Sequence, residues 1–394
     1  MRILHTSDLH IGKRIGQDRE RSEEYRAVFD ELASVCEKED IELVLIAGDV
    51  YDTFMPSAES ESIFYDGVKK LAQSAAVLVI SGNHDDPARL TAAASLAEEQ
   101  NVYITGNSFV PARCAKRGRT YPAASGKGWV IMQTDPTPEH PEGERVYVNL
   151  LPYPNEARIN EEKTDETYQE KIDRWIAEGN AGNTEGLPSV LLAHILVMGG
   201  IRTSISEREI DIGGARQVDP KSIAGFGYCA LGHIHKHMKV APNAWYCGAP
   251  MQFAFDEAGS GKYANVLDLT AEGVKDFKEV ELHAGVRLAR LEAFSMEDAL
   301  EILEKNRDCY VELTLNLTAP ISRDETRALH AGAKYVSIIQ TIETKSQDRE
   351  YNTKGMSSSE LFKTFYKKGH DNQEPRAELL ELFLSLTETE EGLS

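Results

Sequence analysis

The sequence has no run of about 18 apolar residues, the length that a membrane-spanning helix requires. Its first residues, Met1 to Asp8, also lack the apolar core of a signal peptide and are typical of a buried strand. Cysteine is scarce, and the five cysteines are scattered without a Cys-x-x-Cys pair. These absences argue against a membrane protein, a disulfide framework and a thiolate zinc site, so we expect a cytoplasmic protein with reduced thiols.

Positive charge is also in short supply, because 43 Lys and Arg residues stand against 64 Asp and Glu residues, for a net charge of −21. A protein that binds DNA unaided is usually basic, since its affinity comes from neutralising phosphates. Two interpretations fit an acidic chain. It is either a small-molecule hydrolase, or a nuclease whose metal ions supply local positive charge while a partner supplies most of the DNA-binding surface. Composition alone does not decide between them.

Short aliphatic runs alternate with amphipathic stretches over the first half of the chain. The runs are typical of buried strands, and the stretches between them are typical of helices. The strands are expected at Arg2–Thr6, Leu43–Ala47, Ala76–Ile80 and Ser189–Ala193, and the helices at Glu23–Lys38, Ser60–Ser74 and Pro87–Gln100. This alternation predicts a sheet with helices packed on its faces.

After residue 225 the pattern changes to closely spaced strands. They are expected at Tyr228–Leu231, Trp245–Cys247, Ala264–Leu269 and Lys275–Leu282. Strands without intervening helices indicate a second sheet that packs on the first. The predicted fold class is therefore α/β, with a four-layer α/β/β/α sandwich as its core, a small α+β domain and C-terminal helices.

The chain divides into three predicted parts, because one hydrophobic core rarely serves so many residues. Residues 1–283 would form the sandwich, residues 284–345 the small α+β domain, and residues 346–394 a polar linker followed by two amphipathic helices. We expect Ser359 to cap the first of these helices, whose apolar residues share one face. The second is expected to begin near Pro375.

Side chains that bind metal ions follow the predicted strands, at the point where each strand ends. They are Asp8 and His10 after the first strand, Asp49 after the second, Asn83, His84 and Asp85 after the third, His194 after the fourth, and His233 and His235 after Tyr228–Leu231. Because the carboxyl ends of parallel strands open onto one crevice, we expect these side chains to converge. Carboxylate, amide carbonyl and imidazole groups suit divalent manganese, iron or zinc.

Each of these signals also has an ordinary explanation when it is taken alone. A single histidine on an apolar strand, such as His5, is more often a core residue than a ligand. The stretch Gly82–Asp85 is also typical of a helix-capping turn, and His233 and His235 of an alternating strand end. Five such signals in one order, each ending an apolar strand, favour a metal site. Asp49 has two carboxylate oxygens, enough to bridge two ions.

The order Asp-x-His, Gly-Asp, Gly-Asn-His-Asp, His and Gly-x-His resembles that of the calcineurin-like dinuclear metallophosphoesterases. The resemblance implies two ions, one held by Asp8, His10, Asp49 and His235, and the other by Asp49, Asn83, His194 and His233. It also implies that His84 protonates the leaving oxygen, with Asp85 as its orienting partner. Two metal ions that activate water and neutralise developing charge are consistent with such an acid.

Further segments resemble the SbcD family, the bacterial branch of the Mre-type DNA repair nucleases. They are Ile3–Lys13, Ala47–Thr53, Leu151–Pro154, Ser206–Gly214, Phe226–Lys236 and Tyr246–Pro250. Asp52 stands where archaeal relatives often have histidine, which indicates the bacterial branch. The resemblance implies a manganese-dependent exonuclease and endonuclease that acts on DNA ends and hairpins in repair and recombination.

The same resemblance implies partners for this chain. Residues 284–345 would be a capping domain that helps admit DNA, and the tail helices would dock on SbcC, an SMC-like ATPase. Two nuclease subunits would pair within a heterotetramer through Ile63, Phe64, Val68, Leu71, Leu90, Ala93, Leu96 and Ala97. The alternative for these apolar residues is packing within their own domain. Lys13, Arg14 and Arg19 are candidates for phosphate contacts.

Two other functions remain as alternatives. One is a stand-alone phosphatase or cyclic-nucleotide phosphodiesterase with the same metal ions. The other is a non-catalytic scaffold, against which the presence of all seven ligands and His84 argues.

Overall fold

The computed structural model describes residues 1–16, 20–108, 110–138, 140–154, 165–200, 216–342, 357–369 and 373–390. The chain forms two compact units, Met1–Ile342 and Glu343–Ser394. Arg19 and the segment Ser206–Gly214, which the sequence singled out, lie outside the described residues. The predicted α/β fold class is confirmed. The domain boundaries after residues 283 and 345 stay predictions.

The described strands and helices are numbered in chain order. The strands are β1 (Arg2–Thr6), β2 (Leu43–Ala47), β3 (Ala76–Ile80), β4 (Val102–Thr105), β5 (Thr120–Gly126), β6 (Trp129–Thr134), β7 (Arg145–Leu151), β8 (Ser189–His194), β9 (Leu196–Val197), β10 (Gln217–Val218), β11 (Tyr228–Gly232), β12 (Met238–Ala241), β13 (Ala244–Tyr246), β14 (Lys262–Thr270), β15 (Gly273–Leu282), β16 (Leu288–Ala293), β17 (Tyr310–Leu317) and β18 (Tyr335–Ile342). The helices are α1 (Ser22–Lys38), α2 (Ala58–Leu71), α3 (Pro87–Leu90), α4 (Ala94–Glu98), α5 (Tyr168–Asn180), α6 (Met296–Lys305), α7 (Arg323–His330), α8 (Ser358–Gly369) and α9 (Ala377–Glu390).

The first sheet has the strand order β15-β14-β1-β2-β3-β4. Strands β1 to β4 are parallel, and β2 and β3 are wholly buried, as expected for aliphatic strands that are covered on both faces. Helices α1 and α2 cover the outer face of this sheet. The α2 helix begins where the Ser57 hydroxyl accepts a hydrogen bond from the backbone N–H of Ser60.

The second sheet has the strand order β12-β13-β11-β8-β7-β6-β5 and packs face to face on the first. Aliphatic side chains from both sheets, such as Leu45, Leu78, Val148 and Leu192, form one buried cluster between them. Helix α5 covers the outer face through a second cluster that includes Trp175. The layers are therefore helix, sheet, sheet and helix, as predicted.

Three strands lie in a different sheet from the one expected. Strand β8 was predicted with β1 to β3, but it lies between β7 and β11 in the second sheet. Strands β14 and β15 were predicted in the second sheet, but β14 pairs antiparallel with β1 and β15 continues that edge. An apolar run indicates burial but not its pairing partner, because pairing is decided by distant parts of the chain.

The single helix predicted at Pro87–Gln100 is two short helices, α3 and α4. The break follows Thr91, whose hydroxyl donates a 2.7 Å hydrogen bond to the carbonyl of Pro87. A side chain that bonds the preceding turn in this way competes with the helical backbone pattern. The apolar residue Leu96 on α4 is 73% exposed, whereas Leu90 and Ala97 are buried.

The apolar residues of α2 that were considered for subunit pairing lie in the core of their own chain. Ile63, Phe64, Val68 and Leu71 are all buried in one cluster with α1 and the first sheet. Packing within the domain, the alternative left open by the sequence, is what the structure shows for these residues.

Residues 288–342 form a three-stranded sheet of their own, in the order β16-β17-β18. All three strands are parallel and alternate with α6 and α7, so this small domain consists of two βαβ units. Its core is a separate cluster that includes Leu303, Leu313 and Leu329.

The second compact unit contains the tail helices α8 and α9. Their aromatic rings Phe362 and Phe383 stack with centroids 4.2 Å apart. The cap of α8 is Ser357, not Ser359, because Ser357 exchanges hydrogen bonds with Glu360 three residues later. Within the described residues, no helix has the length and apolar character that crossing a membrane requires.

Candidate metal centre

The strand ends that carry the predicted ligands meet at one end of the sandwich, and both sheets contribute. The first sheet supplies Asp8, His10, Asp49 and Asn83, and the second supplies His194, His233 and His235. Hydrogen bonds join the two sheets at this site: for example, His194 Nδ1 donates to the carbonyl of Ala47 at 2.8 Å, and the backbone N–H of His233 donates to Asp8 Oδ1 at 2.9 Å. All seven side chains are buried.

The backbone at the ligand loops adopts a conformation that side chains seldom allow. The φ angles of Asp8, His10, Asp49 and His233 are 51°, 44°, 49° and 102°. Each such residue costs about 1–3 kcal/mol and persists only where its surroundings enforce it. Here the N–H of His10 donates to the carbonyl of Asp49 at 2.9 Å, which ties the first two loops together. This backbone conformation directs the ligand side chains toward the cluster.

Two glycines allow the ligand loops to come this close. Gly48 has a φ of 87°, and a Cβ there would collide with the ring of His194. A Cβ at Gly82 would collide with the carboxylate and backbone of Asp49. The two glycines therefore make room for the ligands themselves.

One group of ligand atoms surrounds the imidazoles of His10 and His235. Their Nε2 atoms are 3.0 Å apart, and Asp8 lies close enough to share an ion with both. Two ligands at right angles on one ion, each with a bond of about 2.1 Å, would be about 3 Å apart. Burial lowers the pKa of His10 to about 3, although the Asp52 and Asp49 carboxylates oppose the shift. A neutral imidazole with its lone pair turned inward suits a divalent ion.

A second group of ligand atoms surrounds His194. Its Nδ1 carries the proton donated to Ala47, yet its Nε2 lies 2.7 Å from Asn83 Oδ1 and 3.4 Å from Asp49 Oδ2. An acceptor that faces other acceptors needs a positive charge between them. Burial opposes a charge on His194, but the Asp49 and Asp8 carboxylates outweigh it and raise its pKa to about 9. A proton or a metal ion would satisfy this group.

Asp49 lies between the two groups. Its Oδ2 is 3.5 Å from His10 Nε2 and 3.4 Å from His194 Nε2. This donor set of carboxylate, amide and imidazole fits divalent metal ions. The division of the seven ligands between two ions stays a prediction.

His84 lies beside the cluster and is held by its backbone and by one ring nitrogen. Its N–H donates to Asp49 Oδ1 at 2.8 Å, and its Nδ1 donates to the carbonyl of Asp52 at 2.9 Å. The expected partner for that nitrogen was Asp85. Instead, the Asp85 carboxylate accepts backbone N–H bonds from Val50, Tyr51 and Gly82, so it joins the loops after β2 and β3.

Several residues around the cluster were not predicted from the sequence. The Tyr25 hydroxyl donates a 2.6 Å hydrogen bond to the carbonyl of His10, and Tyr153 stacks on His233 with ring centroids 6.1 Å apart. Asp52 and Glu257 lie behind the ligand imidazoles. Tyr153 belongs to a Leu-Pro-Tyr-Pro segment that the resemblance singled out. No sequence motif pointed to Glu257, because it lies outside every ligand motif.

Two of the basic residues proposed for phosphate contacts, Lys13 and Arg14, are already paired within the chain. Lys13 Nζ lies 2.9 Å from Asp52 Oδ1, and Arg14 Nη2 lies 2.7 Å from Glu20 Oε1. Local positive charge near the first ligand loop is therefore balanced by carboxylates.

Comparison with known proteins agrees with this geometry. A family model described as calcineurin-like phosphoesterase matches residues 1–237, a range that contains all seven predicted ligands. The chain is 32% identical to the SbcD subunit of the nuclease SbcCD from Bacillus subtilis (strain 168), over 98% of this chain and 97% of the relative. It is 27% identical to the protein of the same name from Staphylococcus epidermidis, over 82% of this chain and 80% of the relative. The chain therefore belongs to the calcineurin-like phosphoesterases, a family of metal-dependent enzymes, and within it to the SbcD branch.

Proposed function

We propose that this chain is a two-metal, manganese-dependent DNA nuclease that works as the nuclease subunit beside an SMC-like ATPase. The observation that carries the proposal is the buried cluster of acceptor atoms. These atoms face one another at about the distance that separates two ligands of one metal ion. The end-to-end similarity to a protein named as part of a nuclease supports DNA as the substrate. We expect exonuclease and endonuclease activity at DNA ends and hairpins, in the cytoplasm.

Bound divalent ions would lower the pKa of water and neutralise charge on the phosphate. The chain's own residues would position the ligand groups and transfer the proton. Asp49 would hold the two ligand groups at a fixed spacing, and its Oδ1 positions the backbone of His84. Because Nδ1 of His84 is bonded to the carbonyl of Asp52, its Nε2 is the atom that would carry a proton to the leaving oxygen. Asp85 would keep this spacing by joining the two loops.

The net charge of −21 supports a partner that supplies the basic DNA-binding surface. The tail helices are suited to dock on that partner, because Phe365 on α8 is 75% exposed. We propose that two nuclease subunits pair within the complex. Leu96 and Val110, which are exposed apolar residues, are candidates for that contact.

A cleavage assay with Mn²⁺ tests the proposal. Linear duplex, single-stranded and hairpin DNA would be compared with para-nitrophenyl phosphate and cyclic nucleotides, each with and without the cognate ATPase and ATP. We expect DNA cleavage that increases when the ATPase and ATP are present. Activity confined to small phosphate esters and unchanged by the ATPase would identify a stand-alone phosphatase or cyclic-nucleotide phosphodiesterase.

A further inference from the structure

Two carboxylates outside the predicted ligand set lie behind the imidazoles of His10 and His235. Asp52 Oδ1 is 3.3 Å from His10 Nδ1, and Glu257 Oε1 is 3.9 Å from His235 Nδ1. Both contacts are on the ring nitrogen that faces away from the 3.0 Å approach of the two Nε2 atoms. Each imidazole thus lies between a carboxylate and the point where an ion would bind.

Each of the two carboxylates is itself paired with a lysine. Lys13 Nζ is 2.9 Å from Asp52 Oδ1, and Lys262 Nζ is 2.6 Å from Glu257 Oε2. The Glu257 and Lys262 side chains are only 5% and 8% exposed. A buried ion pair is costly to form and adds little stability by itself, so its presence beside a ligand calls for another explanation.

A buried aromatic ring packs against both imidazoles. Phe253 lies edge to face with His10 at 5.4 Å and with His235 at 5.7 Å, and Lys13 lies 5.9 Å from its centroid. Around the buried imidazoles, hydrogen bonds between charged and neutral groups are stronger than in water.

The other ligand group is supported differently. His194 Nδ1 donates to the main-chain carbonyl of Ala47, which carries no net charge. A carboxylate that accepts the Nδ1 proton fixes the tautomer and makes Nε2 a more basic ligand than a carbonyl does.

We propose that Asp52 and Glu257 are positioning residues: their carboxylates face the Nδ1 atoms of His10 and His235 at 3.3 and 3.9 Å, and they accept hydrogen bonds from Nδ1 when both rings present Nε2 to one divalent ion. The inference rests on the proposed two-metal function and adds that the two ions are bound with different affinities. The ion at His10 and His235 is bound more tightly than the ion at His194. Because Asp52 is closer to its imidazole than Glu257, it contributes more.

Calorimetric titration of the metal-free full-length chain with MnCl₂ tests the inference directly. The variants are Asp52→Asn and Glu257→Gln, which keep the shape of each side chain and remove its charge. We expect each to weaken the tighter binding step, by about 10- to 100-fold for Asp52→Asn and by less for Glu257→Gln. The control is Glu59→Gln, an exposed carboxylate on α2 near the same loop, which should leave both steps unchanged.

A second measurement separates positioning of the ligand from a general loss of structure. The hydrogen bond to His84 comes from the main chain of Asp52, so Asp52→Asn keeps it. We therefore expect the Mn²⁺ midpoint of activity to rise while the maximal rate at saturating Mn²⁺ is retained. A lower maximal rate with an unchanged midpoint would overturn the inference, as would wild-type Mn²⁺ affinity in both variants. If the variants bind Mn²⁺ more weakly but the wild-type chain cuts no DNA, the inference is supported and the nuclease proposal fails.

Discussion

The carboxylates of Asp8 and Asp49 lie close to His194. A proton on the imidazole of His194 therefore competes with a metal ion for the position between these groups. Its pKa is raised to about 9, so near neutral pH the metal-free chain carries this proton. A divalent ion takes the neutral imidazole, and the proton must leave on binding. We expect Mn²⁺ binding to release a proton near neutral pH and its affinity to rise with pH up to about 9. Calorimetry in buffers of different ionisation enthalpy would measure this release.

The matched variants for this prediction are His194→Ala and His5→Gln. Loss of the His194 ring should remove both the released proton and one of the two Mn²⁺ ions. His5 is also wholly buried, and its Nδ1 bonds the Tyr228 hydroxyl at 3.0 Å, as befits the core residue that the sequence suggested. Its substitution should lower stability but leave the Mn²⁺ count unchanged. Two bound ions in His194→Ala would contradict the ligand assignment.

His84 has two possible roles that a substitution separates. Its imidazole lies close enough to His10 and Asp49 to share an ion with them, yet its contacts also suit a proton donor. We expect His84→Ala to keep both Mn²⁺ ions and to slow DNA cleavage by roughly 10²–10⁴-fold, the usual contribution of a general acid. His283→Ala, an exposed histidine, is the control. Loss of an ion together with activity would make His84 a ligand.

The residue types and their positions at strand ends were enough to predict which side chains enter the crevice. They were not enough to predict which atom faces which. Asp85 was expected beside His84, but it accepts three backbone N–H groups, and the carbonyl of Asp52 takes its place. Main-chain oxygens leave no trace in a motif, since every residue has one. Glu257 lies in a short 3₁₀ turn, Phe255–Glu257, which is outside every ligand motif.

At the scale of secondary structure, burial was predictable but pairing was not. The bounds of β1, β2 and β3 match the predicted runs. Strands β2 and β3 are aliphatic along their length, as expected for strands buried on both faces. Strand β14 is also largely buried, yet it pairs with β1 although the two strands are far apart in the sequence. Its place in the first sheet depends on that long-range contact, which no local pattern encodes. Because β8 also lies in the second sheet, His194 joins His233 and His235 there, opposite the ligands of the first sheet.

The junction between α1 and the small domain depends on a buried ion pair. Arg21 and Glu24 are 2.6 Å apart at the start of α1, and Glu24 also accepts bonds from the Tyr310 hydroxyl at 2.8 Å and the N–H of Val286 at 2.7 Å. Tyr310→Phe should lower the free energy of unfolding by about 1.5–3 kcal/mol, because it removes a hydrogen bond to a charged group. Glu24→Ala should cost more, about 3–5 kcal/mol, since it leaves Arg21 buried without its partner.

Urea unfolding of the metal-free chain would measure both effects. Glu301→Ala is the control, because its pair with Lys305 is on the surface of α6 and should contribute no measurable stability. Equal losses for Tyr310→Phe and Glu301→Ala would show that the buried pair does not stabilise the junction.

Under the proposed function, the two compact units have separate roles. The unit Met1–Ile342 contains the full ligand cluster, whereas the unit Glu343–Ser394 contains the two tail helices. A chain that ends after residue 342 should therefore bind Mn²⁺ and hydrolyse para-nitrophenyl phosphate as the full chain does. It should lose co-elution with the ATPase and the increase in DNA cleavage that ATP brings, because an acidic nuclease without its partner lacks a basic DNA surface.

A point variant in the full-length chain tests the same proposal without a truncation. Phe362 packs against Phe383 inside the helix pair, whereas Phe365 is largely exposed. Phe365→Asp should therefore weaken ATPase binding while Mn²⁺ binding and small-ester hydrolysis stay unchanged, since a charge on a docking face is costly to bury. Size-exclusion chromatography of the mixed subunits and the DNA cleavage assay would measure both effects. If both the truncated chain and Phe365→Asp still co-elute with the ATPase, the partner binds the first unit and the tail has another role.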